Sequence, residues 1–170
     1  MASIILREKF PNLHSSHKIS FKPMMPNIRA MLAQADAALV LESFPDEHGA
    51  TQLFALDLAE EWADLTELPY VHGFWVAREE DLPTVYAERL VAAANEGVSA
   101  RRTIAEAYAL RKGFSVESAR TKVEQFDFFL DDREQESLSE FFRQAFYHGI
   151  LGDIPDLNFF DLPSSAPSKN

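Results

Sequence analysis

The 170-residue chain contains no cysteine, which excludes a disulfide framework, a thiolate nucleophile and cysteine-based zinc sites. It also lacks a long apolar run. Ile4-Ile5-Leu6 meets a charge at Arg7, too soon for a signal peptide, and no stretch approaches the roughly 18 apolar residues of a membrane span. An excess of positive charge is missing as well: the formal net charge is −11. The first 50 residues carry five basic and five acidic side chains, so residues 51–170 carry the whole of that charge. Such a surface repels phosphate backbones and anionic lipid. No nucleic-acid partner and no membrane partner are expected, and a cytoplasmic location follows. GxGxxG, P-loop, GxSxG and HExxH motifs are absent too, removing sequence support for nucleotide binding and the common hydrolase plans.

What is present fits a folded protein. Hydrophobic residues make up 46% of the chain and aromatics 12%, with 14 phenylalanines, far above a disordered composition. Ile4, Ile5, Leu6 and Phe10 predict an amphipathic helix stopped by Pro11, and Ile28, Met31 and Leu32 have helical spacing. Phe21-Lys22 reads as a short strand between prolines. Ala37-Ala38-Leu39-Val40-Leu41, Leu53-Phe54-Ala55-Leu56 and Tyr70–Val76 are short, apolar and bounded, the pattern of buried strands. Between the last two, Asp57 and Glu60 form a capping-box pattern ahead of Leu58, Trp62 and Leu65, which share one helical face.

After residue 79 the pattern is helical. Leu82, Tyr86, Leu90 and Ala93 make one stripe, closed by Gly97. Ile104, Tyr108 and Leu110 make another, closed by Gly113, and Ser115 opens the next helix with Glu117 and Ser118 behind it. Asp131 with Glu134, or Asp132 with Gln135, caps a long helix with Leu138, Phe141, Phe142, Ala145 and Phe146 on its core side. Residues 153–170 read as a disordered tail.

Few residues point to chemistry. His14 and His17 have no third ligand at metal-binding spacing and read as surface loop. Glu60-Glu61 and Asp131-Asp132 are carboxylate pairs at helix N-termini, where they complement the dipole; His72 reads as a histidine within an apolar strand. Glu42-Ser43 stands out by position. It follows the C-terminal end of the run 37–41, and open α/β sheets bind ligands outside such strand ends. Glu42 and Ser43 are therefore the candidate substrate-binding residues; a plain polar turn is the other reading. No catalytic residue is assigned.

One block is more specific. Asp57-Leu58-Ala59-Glu60-Glu61-Trp62, Leu65-Thr66-Glu67-Leu68-Pro69-Tyr70-Val71 and Phe74-Trp75-Val76-Ala77-Arg78 closely resemble a stretch of the menaquinone-biosynthesis family of the futalosine pathway. That family holds chorismate dehydratase and a sister naphthoate synthase, with a pattern near DLGEEW followed by LTGLPFVFAVWVAR. Met31-Leu32, Asp36–Val40 and Phe126–Leu151 support the resemblance, which covers roughly residues 4–151.

The resemblance implies an α/β fold like the type II periplasmic-binding proteins, present in part. Residues 1–69 would be a remnant of the second lobe. Residues 70–152 would be a crossing strand and helices of the first lobe, whose N-terminal strands would lie outside this chain. The implied chemistry is loss of water from chorismate to give 3-[(1-carboxyvinyl)oxy]benzoate, without metal or organic cofactor. The alternatives are the naphthoate synthase reaction and a non-catalytic small-molecule-binding or assembly role. This sequence departs from the pattern at Ala59 and Glu67, both glycine in the family, at His72, and at Glu42-Ser43, where the family has Gly-Asp. The expected partner is a small anionic, chorismate-like substrate. Self-association through an exposed strand 70–76 is expected as well.

Overall fold

The structure is a computed structural model, described for residues 1–12, 19–41, 54–81 and 83–160. Two compact units divide the chain, Met1–Glu67 and Leu68–Asn170. Among the described residues all regular structure is helical.

In the first unit, α1 (Ala2–Lys9), α2 (Ile28–Leu32) and α3 (Leu58–Thr66) form where spacing predicts them. Pro11 stands just beyond α1, and Asn27 caps α2 by accepting the Ala30 amide at 2.9 Å. Asp57 caps α3, its Oδ1 accepting from the amides of Ala59 at 2.8 Å and Glu60 at 3.4 Å. Helices α1 and α3 pack together, and Ile4, Ile5 and Trp62 are fully buried. Trp62 is the buried member of the predicted stripe; Leu58 and Leu65 flank it half-buried.

In the second unit, α4 (Thr84–Ser99), α5 (Arg101–Lys112), α6 (Val116–Glu124) and α7 (Asp132–Tyr147) follow a short 3₁₀ turn at Glu79–Asp81. Among the described elements, α5 and α6 pack against each other most extensively. Their core is three alanines, Ala105, Ala109 and Ala119, with Tyr108 and Val123 against them; small side chains let the two backbones approach closely. Gly113 turns the chain in the left-handed region at φ 74°, and Ser115 Oγ caps α6 by accepting the Ser118 amide at 3.1 Å.

The α/β expectation is overturned, because the described residues contain no strand and no sheet. Ala37–Leu41 is irregular, with Leu41 95% exposed. Phe21-Lys22 and the described part of the next predicted strand, Phe54–Leu56, are likewise irregular and exposed. Tyr70–Val76 runs without a ladder partner, and its second half is open to solvent. The physical reason is that a short apolar run names neither its cover nor its partners. A buried strand needs hydrogen bonds on both edges and apolar neighbours on both faces, and nothing among the described residues provides them.

Two helical phases are corrected as well. Helix α4 buries Ala87 and half-buries Val91, Ala94 and Val98, while Tyr86 and Leu90 are exposed. It also continues through Gly97 to Ser99. Helix α5 buries Ala105 and Ala109 and leaves Leu110 outside. In α5 two alanines face inward with Tyr108 packed beside them, while Ile104 and Leu110 are exposed, against the ordinary hydrophobic ranking. Helix α7 buries Leu138 and Ala145 as predicted, with Ser137 beside them, and exposes part of Phe146.

Candidate functional site

Glu42 and Ser43 lie outside the described residues, as do His14 and His17. The chain leading to Glu42 is not a buried strand, since Leu39 and Leu41 are exposed. No strand end therefore precedes Glu42-Ser43. What remains for these two residues is their position in the family pattern.

The carboxylates near α3 hold structure together. Asp57 satisfies amides of the first turn, as a capping carboxylate does. Glu61 pairs with Lys9 across the α1–α3 contact, and Asp64 lies 3.6 Å from the same ammonium. The hydrogen bond to Glu61, aided by the charges of Glu61 and Asp64, raises the Lys9 pKa above its ordinary value. Sequence reading missed this pair because 52 residues separate its members.

Glu67 stands where the family pattern has glycine, and the structure gives that glycine a reason. It ends α3 with φ 60° and ψ 18°, its amide donating to the Ala63 carbonyl. It is the only non-glycine residue with positive φ among the described residues. Only glycine enters this left-handed region without steric cost, and Pro69 two residues on completes a common helix stop. The DLAEEW–LTELP block therefore spells a cap, a buried tryptophan and a left-handed exit.

Around the next segment the structure gathers rings. His72 is exposed, not enclosed in a strand core. Its imidazole stands edge-on to Tyr70 at 4.8 Å and to Phe126 at 5.1 Å between centroids. Burial raises the Tyr70 pKa, because the phenolate would lose its water. Nearby, Arg101 Nη2 donates to the Phe126 carbonyl at 2.9 Å, its guanidinium lies 5.9 Å from the Phe128 ring centre, and its Nε has no hydrogen-bond partner. Asp131 and Asp132 sit at the N-terminus of α7, where their charge suits the dipole. No cluster of three or more His, Asp or Glu side chains suited to a metal occurs among the described residues. No helix there is long and apolar enough to cross a membrane.

A helical protein whose most specific block builds a helix and its exit is thus the class defined by geometry. The family described as Menaquinone biosynthesis matches residues 3–147, and the chain belongs to it. No curated protein and no solved structure gives a significant match.

Proposed function

We propose that this chain serves menaquinone biosynthesis as a chorismate-dehydratase-like protein, acting on chorismate or a closely similar dicarboxylate. The observation that carries this reading is the family match across residues 3–147. The block from Asp57 to Arg78 resembles the family that holds chorismate dehydratase and its naphthoate synthase sister, and the dehydratase is the reading adopted of the two. In the proposed reaction a ring proton is removed, the ring hydroxyl leaves with a proton as water, and the electrons of the broken C–H bond complete the aromatic ring of 3-[(1-carboxyvinyl)oxy]benzoate. Aromatisation supplies the driving force. The protein's work is to hold two carboxylates and orient the ring.

In this reading Ser43 donates a hydrogen bond to a substrate carboxylate, while Glu42 opposes it. A carboxylate about 6 Å from a substrate carboxylate, at an effective dielectric of about 20, opposes binding by roughly 2–3 kcal/mol. That is on the order of a hundredfold in affinity. Glu42→Gly restores the family's residue and removes the repulsion. Calorimetry with chorismate should show the variant binding roughly a hundredfold more tightly than the native chain, and chromatography should show the benzoate product accumulating with it. If Glu42→Gly neither binds chorismate nor forms product, the dehydratase reading fails. A non-catalytic binding or assembly role then stands in its place, a reading that the Glu42-Ser43 departure itself favours.

A further inference from the structure

We draw no further inference here: the strongest candidate, the part-buried Arg101 guanidinium that opens α5 beside Phe126 and Phe128, is held by the Phe126 carbonyl and has its unpartnered Nε closed off by the protein itself, and nothing in the structure shows what it would bind.

Discussion

The two tryptophans stand thirteen residues apart, and they meet opposite fates: Trp62 is fully buried and Trp75 is 85% exposed. Trp62 sits in a helix whose every local signal agrees. Asp57 caps it, Leu58 and Leu65 share the tryptophan's side, and the exit is a left-handed residue followed by Pro69. Trp75 sits in a run that is as apolar but has no local partner. A helix satisfies its own hydrogen bonds and presents one apolar stripe. An extended segment leaves both requirements to chain elsewhere. The difference between the two indoles is the difference between structure encoded nearby and structure that must be supplied from a distance.

The comparison breaks most sharply at Trp62. Replacing it with alanine removes a large buried side chain and leaves a cavity, a change that costs about 3–5 kcal/mol. Urea denaturation followed by circular dichroism should show a loss of that size. A loss below about 1 kcal/mol would mean that the indole is not part of the core, and the helix phase would be wrong.

A second prediction sharpens the exit from α3. Glu67 holds a left-handed conformation at φ 60° that disfavours any residue with a Cβ. Glu67→Gly should therefore stabilise the chain, by about 1 kcal/mol, read as a higher urea midpoint with an unchanged slope. A destabilised variant would show that the glutamate side chain contributes more than its backbone strain removes.

The same contrast explains what could be read in advance. Helices α1, α2 and α3 and the ends of α5 and α6 were legible because Pro11, Asp57, Gly113 and Ser115 are local stop and start signals. The facing of α4 and α5 was not legible. Ala87, Ala105 and Ala109 are buried while Tyr86 and Leu110 are exposed, a choice made by close approach between backbones, and hydrophobic ranking is blind to it. The α/β expectation failed on runs 37–41, 53–56 and 70–76, where length and apolarity alone stood in for unseen partners. Of the candidate site, Glu42 and Ser43 were chosen from a strand end and a family pattern, and only the pattern survives. The Lys9–Glu61 pair had no sequence signal at all. The left-handed Glu67 did have one, in the glycine that the family pattern carries there.

The smallest predicted effect is also the cleanest measure of the contrast. Trp75→Ala removes as many atoms as Trp62→Ala, but from a side chain that water already surrounds. An exposed apolar residue contributes almost nothing to the stability of a single chain, because folding does not change its surroundings. In dilute solution, Trp75→Ala should change the unfolding free energy by less than about 0.5 kcal/mol. The same variant should remove the fraction of tryptophan emission that acrylamide quenches readily, leaving the shielded emission of Trp62. A loss above 1 kcal/mol in the dilute chain would show that the indole at 75 is packed inside its own chain. The two tryptophans would then share one fate.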